Sequence, residues 1–205
     1  MKKVFIDGSA GTTGLRIFDR LHRRTDIQLL TLPESERKLE ASRKKMLNEA
    51  DVVFLCLPDD AACEAALWVE NPDTVVLDTS TAHRTAPGWC YGFPELSPVQ
   101  EARLRQAKRI AVPGCHASGF IALVYPLVSA GLLTPDALLS CYSLTGYSGG
   151  GKKMIAEYRA PERSFLLNAP RQYALGQTHK HLKEMKAVTG LANEPVFCPV
   201  VADFY

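Results

Sequence analysis

One cysteine lies where the sequence could make it a nucleophile. Cys115 stands within Val112–Gly119, between a short apolar run and a longer apolar segment that we expect to be helical. The start of a helix favours thiolate over thiol, and its N–H groups can stabilise an oxyanion on an attacked carbonyl. Gly114 and Gly119 leave space for a substrate, so we expect Cys115 to be catalytic. The remaining cysteines, which we expect to be inert thiols, are Cys56, Cys63, Cys90, Cys141 and Cys198.

Three glycines follow the first apolar run of the chain. They have the spacing G-x-x-G-x-x-G, between a predicted strand at Lys2–Ile6 and a predicted helix at Leu15–Arg23. Glycine permits a tight turn and lets the backbone approach a pyrophosphate, which then faces the N-terminus of the helix. We therefore predict a dinucleotide site, the alternative being a tight turn that binds nothing. The expected contacts are Gly8, Ser9, Gly11, Thr12, Thr13 and Gly14.

The residues after the second predicted strand bear on the choice between NAD and NADP. An acidic residue at the tip of that strand would bind the ribose 2′-hydroxyl, whereas a basic or small polar residue would admit a 2′-phosphate. The strand predicted at Ile27–Leu32 ends without an acid, and Glu34 follows only after Pro33. Ser35 and Arg37 lie close by, so we favour NADP, although Arg37 could equally solvate a helix.

A thiol nucleophile combined with a nicotinamide cofactor suits few reactions. It suits the reduction of an activated acyl group or the oxidation of an aldehyde. Both reactions pass through a thioester, and hydride moves between the cofactor and the thioester carbon.

Alternating strands and helices would position these residues in the first part of the chain. The nearly continuous apolar runs at 51–57 and 74–77 are typical of buried parallel strands. A polar helical pattern at Glu34–Asn48 and an alanine-rich one at Asp60–Glu70 precede these two runs. The alternation predicts an α/β fold with a Rossmann-type, doubly wound parallel sheet.

The pattern changes beyond this region, and we place a domain boundary near Pro113. Residues 79–99 are expected to be loop, and Ala117–Gly131 is expected to be a helix broken or kinked near Pro126. Gly146–Gly151 is expected to be a glycine-rich loop. We therefore expect an NADP-binding Rossmann domain at 1–113 and an α+β catalytic domain at 114–205. The latter looks truncated, because the sequence stops within a predicted strand.

Composition excludes several classes of protein. The 205 residues are 46% hydrophobic and 22% charged, as in ordinary globular proteins, and 24 basic against 22 acidic residues give a net charge of +2. We therefore expect no nucleic-acid partner, and the apolar runs are too short to suggest a membrane span. No cysteines show CxxC or zinc-ligand spacing, so we expect no metal site and a cytoplasmic location.

Five segments occur in an order that resembles the N-acetyl-gamma-glutamyl-phosphate reductase family in its shorter form, a relative of aspartate-semialdehyde dehydrogenase. These segments are Gly8–Gly14, Asp78–Arg84, Tyr91–Leu96, Pro113–His116 and Tyr147–Gly151. The resemblance implies NADPH-dependent reductive dephosphorylation of N-acetyl-L-glutamyl 5-phosphate to N-acetyl-L-glutamate 5-semialdehyde, through a thioester on Cys115, in arginine biosynthesis. It also implies a homo-oligomer.

The resemblance further implies roles for individual residues. The family needs a histidine as acid/base, and 177–184 resembles its histidine-containing helix start, so His181 is preferred and His179 is the alternative. Arg84 is the candidate for the anionic groups of the acyl-phosphate substrate. Ser118 and His116 are further substrate candidates, and Ser80, Gly149 and Gly150 are further cofactor candidates.

The sequence leaves two rival functions open. The first is a sister enzyme that reduces another acyl phosphate, such as aspartyl phosphate or a carrier-linked aminoadipyl phosphate. The second is a non-catalytic nucleotide sensor that keeps only the Rossmann half. The presence of Cys115 together with a histidine-containing segment counts against the sensor.

Overall fold

The computed structural model describes residues 1–205 and consists of two compact units, Met1–Pro113 and Gly114–Tyr205. The first unit is built on one six-stranded sheet, and the second on a three-stranded sheet.

Every strand pair in the sheet of the first unit is parallel. The order β2-β1-β3-β4-β6-β5 runs outward from β1 in one direction and from β3 in the other. The predicted α/β fold with a doubly wound parallel sheet is therefore confirmed, and its topological switch point lies between β1 and β3. The strands are β1 (Lys2–Asp7), β2 (Ile27–Leu30), β3 (Val52–Leu55), β4 (Val75–Asp78), β5 (Cys90–Tyr91) and β6 (Arg109–Ala111).

Apolar side chains explain why these runs form the centre of the unit. Val53, Leu55 and Val76 are fully buried in β3 and β4, as expected of strands covered on both faces. The helices of the unit are α1 (Thr12–Leu21), α2 (Glu40–Glu49), α3 (Asp59–Leu67) and α4 (Pro98–Gln106).

Two predicted boundaries in the first unit were wrong. Helix α2 begins at Glu40 rather than Glu34, because residues 34–38 form successive turns. Ser42 secures those turns through its hydroxyl, which donates to Glu36 at 2.9 Å. The region 79–99, predicted as loop, contains the two-residue strand β5, which pairs with β6 at the sheet edge.

Strand β9 (Val196–Ala202) is the centre of the second unit. It pairs in parallel with β7 (Ser140–Gly146) and antiparallel with β8 (Arg171–Gln172). Phe197 and Val201 of β9 are almost fully buried, whereas alternate residues of β7 are exposed. The helices are α5 (Cys115–Ser129), α6 (Gly151–Arg159) and α7 (His181–Thr189).

Two further predictions failed in this unit. Helix α5 continues through Pro126 to Ser129 rather than breaking there: Pro126 has no N–H for the Ala122 carbonyl, but its own carbonyl still accepts from the Ala130 N–H at 3.0 Å. The predicted glycine-rich loop is a 3-10 turn at Tyr147–Gly150, and its last glycine starts α6. No helix in either unit is long and apolar enough to cross a bilayer.

Candidate active site

The glycine turn between β1 and α1 admits no larger side chain. Gly8 has φ +86°, and a Cβ there would overlap the carbonyl of Cys56. A Cβ on Gly14 would lie 2.8 Å from the Cα of Ser9. The Gly11 N–H donates to the Gly8 carbonyl at 2.9 Å and closes the turn. The backbone is therefore held tightly at the switch point, where ligands of open α/β sheets bind.

A cavity of about 730 Å³ opens beside this turn. That volume lies within the usual range of about 300–1,000 Å³ for small-molecule sites. Among the predicted cofactor contacts, Gly8, Ser9 and Arg37 line the cavity. Its other walls include Asp7, Ala10, Leu30, Thr31, Leu32, Glu34, Lys38, Arg43, Leu57 and Ala61. Several other predicted contacts do not line this cavity: Gly11, Thr12, Thr13 and Gly14 form the turn and the start of α1, and Ser35 lies in the turns before α2.

Sequence reasoning missed the ion pair in the wall of this cavity. Asp7 is the last residue of β1, and its carboxylate accepts from Arg43 Nη2 at 2.9 Å and Nε at 3.2 Å. The Asp7 side chain is 5% exposed and that of Arg43 12%, and the Arg43 guanidinium lies 4.7 Å from the ring of Trp68. In the sequence, Arg43 looks like any other cation of a polar helix.

A buried carboxylate organises the loop after β4. Asp78 accepts from the Ser80 hydroxyl at 2.6 Å, and His83 Nδ1 lies 2.6 Å from the same carboxylate. The His83 ring stacks on Trp89 at 3.9 Å between centroids. Arg84 donates from Nε to the Val112 carbonyl at 3.0 Å. The candidates Ser80 and Arg84 thus lie in one ordered loop of the first unit.

Cys115 is the first residue of α5, and its side chain is exposed. The preceding residue, Gly114, is extended and acts as the N-cap. The Gly114 N–H donates to the Glu184 carboxyl at 2.7 Å, and the Ser118 hydroxyl donates to the Gly114 carbonyl at 2.8 Å. The predicted residue Ser118 therefore fixes the turn that carries Cys115. Glu184 is only 2% exposed, and sequence reasoning missed it.

Three histidines gather around this thiol. Cys115, His116, His179 and His181 line one cavity of about 200 Å³. The ring centroid of His116 lies 5.8 Å from those of His179 and His181, which are 4.6 Å apart. Cys115 and His116 are adjacent in the chain, and both reach the cavity because it lies at the start of α5.

Burial disfavours the charged form of two of these histidines. It lowers the pKa of His116, and the nearby His179 lowers it further. Burial likewise lowers the pKa of His179, against a smaller opposite effect of Glu184. The His181 N–H donates to His179 Nδ1 at 3.2 Å, so that nitrogen is an acceptor. Neutral imidazoles beside a thiol are able to accept its proton.

Other walls of the thiol cavity come from residues that sequence reasoning treated differently. Gly149 and Gly150, predicted as cofactor contacts, lie on this cavity. Tyr173 was not foreseen because it belongs to an irregular segment, and its hydroxyl lies 2.8 Å from His116 Nε2. Ser143 of β7 lies 2.7 Å from His116 Nδ1. His116 is therefore held from both ring nitrogens.

Two family models match consecutive parts of the chain. Residues 3–104 match the model "Semialdehyde dehydrogenase, NAD binding domain". Residues 115–205 match the model "Semialdehyde dehydrogenase, dimerisation domain".

Curated relatives carry one name. N-acetyl-gamma-glutamyl-phosphate reductase 2 of Pseudomonas putida is 48% identical over 96% of this chain and 62% of its own length. The N-acetyl-gamma-glutamyl-phosphate reductases of Trichormus variabilis and of Chelativorans sp. are 46% and 48% identical, over 98% of this chain and 64% of their own lengths. The chain thus spans less than two thirds of the length of these relatives.

Solved structures share the fold. Aspartate semialdehyde dehydrogenase II of Vibrio cholerae, complexed with ASA, superposes with a TM-score of 0.70 at 15% identity, over 100% of this chain and 71% of that one. Aspartate semialdehyde dehydrogenase of Candida albicans with NADP gives a TM-score of 0.66 at 19% identity, over 99% and 68%.

Proposed function

The chain belongs to the semialdehyde dehydrogenase family, and from this premise we propose that it reduces N-acetyl-L-glutamyl 5-phosphate to N-acetyl-L-glutamate 5-semialdehyde with NADPH. The reaction would be a step of arginine biosynthesis in the cytoplasm. One observation carries the proposal: the exposed Cys115 thiol begins a helix in a small cavity lined by three histidines, and burial lowers the pKa of two of them. The names of the curated relatives support the choice of substrate.

In the first half-reaction, the Cys115 sulfur attacks the acyl carbon of the substrate. A carbon–sulfur bond forms and the carbon–oxygen bond to phosphate breaks. Backbone N–H groups at the start of α5 stabilise the transient oxyanion. A histidine takes the thiol proton and returns it to the leaving phosphate. We assign this proton transfer to His181, with His179 as the alternative.

In the second half-reaction, the thioester becomes an aldehyde. NADPH, when bound, supplies a hydride to the thioester carbon. The carbon–sulfur bond then breaks, the aldehyde departs and Cys115 returns as a thiolate. His116 and Ser118 are proposed to orient the acyl group, and Arg84 to hold its anionic groups.

The residues around the glycine turn suit a nicotinamide dinucleotide. The turn excludes a Cβ at Gly8, and the adjoining cavity has the volume of a small-molecule site. We propose NADP as the cofactor, because Arg37 lines the cavity and no acid stands at the tip of β2. In this proposal, 1–113 is the NADP-binding domain and 114–205 belongs to the catalytic domain. We also propose a homo-oligomer, since the second family model is described as a dimerisation domain.

An assay in the reverse direction tests the proposal. Purified protein is mixed with NADP⁺, phosphate and N-acetylglutamate 5-semialdehyde, and NADPH formation is followed by absorbance. Aspartate semialdehyde serves as the competing substrate. We expect activity with the acetylated substrate, loss of it in Cys115→Ser, and retention in Cys63→Ser, which changes another exposed cysteine. A Cys115→Ser variant with the wild-type rate would disprove the nucleophile, and a preference for aspartate semialdehyde would disprove the substrate.

A further inference from the structure

Arg43 is held in an unusual position for a helix cation. Arg43 lines the cavity beside the glycine turn, yet its side chain is only 12% exposed. Asp7 binds Nε and Nη2, and Trp68 lies against the guanidinium at 4.7 Å. The guanidinium is therefore fixed along one edge by Asp7 and on one face by Trp68.

Arg43 contributes to the wall of the cavity while it is held by these two contacts. Asp7 engages Nε and Nη2, and the Trp68 indole lies against one face, so the cavity is lined by a planar cation whose charge a carboxylate already offsets. Leu30, Leu57 and Ala61 line the same cavity and are each partly buried. Because Asp7 already offsets its charge, this flat surface between apolar side chains suits an uncharged aromatic ring better than a phosphate, which binds most strongly to an unpaired cation.

We propose that Arg43 is the surface on which the adenine of the cofactor stacks. This inference rests on the proposed function, because it takes a nicotinamide adenine dinucleotide as the ligand. Asp7 acts as a positioning residue, because it fixes the guanidinium and offsets its charge. Arg43 should therefore bind adenine ligands equally well whether or not they carry a 2′-phosphate. Leu57 and Ala61 follow β3, at the sheet edge where Asp7 ends β1 in register with Leu55.

Arg37 is given a different task by its surroundings. It lies in the turns before α2, is exposed, and makes one long contact from Nε to the Leu32 carbonyl at 3.4 Å. Its donors are available to a 2′-phosphate, as the sequence pattern predicts. Substitution of Arg43 should therefore weaken every ligand that contains adenine, whereas substitution of Arg37 should weaken only the ligands that carry a 2′-phosphate.

Calorimetric titrations separate the two roles. The ligands are 5′-AMP, 2′,5′-ADP, NADPH, NADH and reduced nicotinamide mononucleotide, which lacks adenine. The variant Arg43→Lys keeps a cation beside Asp7 but removes the planar surface. We expect it to weaken all four adenine ligands by the same factor, about tenfold, and to leave the mononucleotide unchanged. We expect Arg37→Gln to weaken only 2′,5′-ADP and NADPH.

Controls keep the test decisive. Arg24→Lys alters another paired arginine of the first unit, one that does not line the cavity, and should bind every ligand as the wild type does. The double variant Asp7→Asn/Arg43→Met removes both charges together, so it tests the stacking surface without leaving a buried carboxylate unpaired. Thermal unfolding confirms that each variant is folded.

The outcomes distinguish this inference from the proposed reaction. Wild-type affinity for 5′-AMP in both Arg43→Lys and the double variant would overturn the stacking role. A loss confined to the 2′-phosphorylated ligands would also overturn it and make Arg43 a phosphate contact. A uniform loss for adenine ligands, in a protein without reductase activity, would support the adenine site and disprove the proposed reaction.

Discussion

Replacing Glu184 with alanine should loosen the turn that carries the nucleophile. The Glu184 carboxyl is 2% exposed and accepts the Gly114 N–H at 2.7 Å, one residue before Cys115. Leaving a buried N–H without its partner costs about 1–3 kcal/mol. We expect Glu184→Ala to lower the free energy of unfolding by about 2 kcal/mol, which changes the folding equilibrium roughly thirtyfold.

The variant Glu184→Gln is the matched control for this substitution. Its amide oxygen still accepts the Gly114 N–H, so its stability should stay closer to that of the wild type. Glutamine also removes the charge that opposes the fall of the His179 pKa, so that pKa should drop further. Activity in Glu184→Ala should be lower than in Glu184→Gln, because only alanine frees the backbone before Cys115.

Urea unfolding and hydrogen exchange at the Gly114 amide measure the effect. Exchange at Gly114 should accelerate in Glu184→Ala and remain slow in Glu184→Gln. The amide of Gly92, which donates to Ala111 in the first unit at 2.8 Å, serves as the internal reference. Unchanged stability together with unchanged exchange at Gly114 in the alanine variant would refute this reasoning.

Three other substitutions or titrations test separate parts of the account. Because burial lowers the pKa of His116 and His179, the unfolded chain binds more protons below about pH 6.5. The free energy of unfolding should therefore be highest above that pH and fall below it, as urea unfolding at a series of pH values can show. A free energy of unfolding that does not change across about pH 6.5 would contradict the burial of these histidines. Gly8→Ala should cost about 1–3 kcal/mol of stability because alanine is strained at a positive φ, and it should cost more because its Cβ would overlap a carbonyl. Gly88 has φ +81° and open space around it, so Gly88→Ala should show the backbone cost alone. Equal losses of stability in thermal unfolding of the two variants would disprove the overlap. Burial raises the pKa of Cys56 to about 11, so iodoacetamide at pH 8 should label Cys56 more slowly than the exposed cysteines. Peptide mass spectrometry measures the order of labelling, and early labelling of Cys56 would contradict its burial.

Local patterns predicted the first unit well. The apolar runs at β3 and β4 are short, nearly continuous and followed by helical patterns, so their period and length identify buried parallel strands. The glycine turn was recognisable because only glycine fits at Gly8 and Gly14. Sequence reasoning went wrong where local signals were ambiguous: Gly149–Gly151 resembles a loop but ends in α6, and Pro126 resembles a helix breaker but lies inside α5.

Long-range contacts explain what the sequence could not predict in the sites. Arg43 meets Asp7 across 36 positions of the chain, and Glu184 meets Gly114 across 70. Tyr173 reaches His116 across 57 positions from a segment without a periodic pattern. Each pair depends on how the elements pack, and no residue in it carries a local signal of its partner. Cys115 was predictable because its position at a strand–turn–helix junction is itself local.

The acyl-enzyme tests the central claim most directly. Purified protein is incubated with NADP⁺ and N-acetylglutamate 5-semialdehyde without phosphate, so that the thioester has no phosphate acceptor. The account predicts a burst of about one NADPH per enzyme and an N-acetylglutamyl adduct that peptide mass spectrometry places on Cys115. Turnover with no adduct on Cys115, or the same burst from Cys115→Ser, would contradict it.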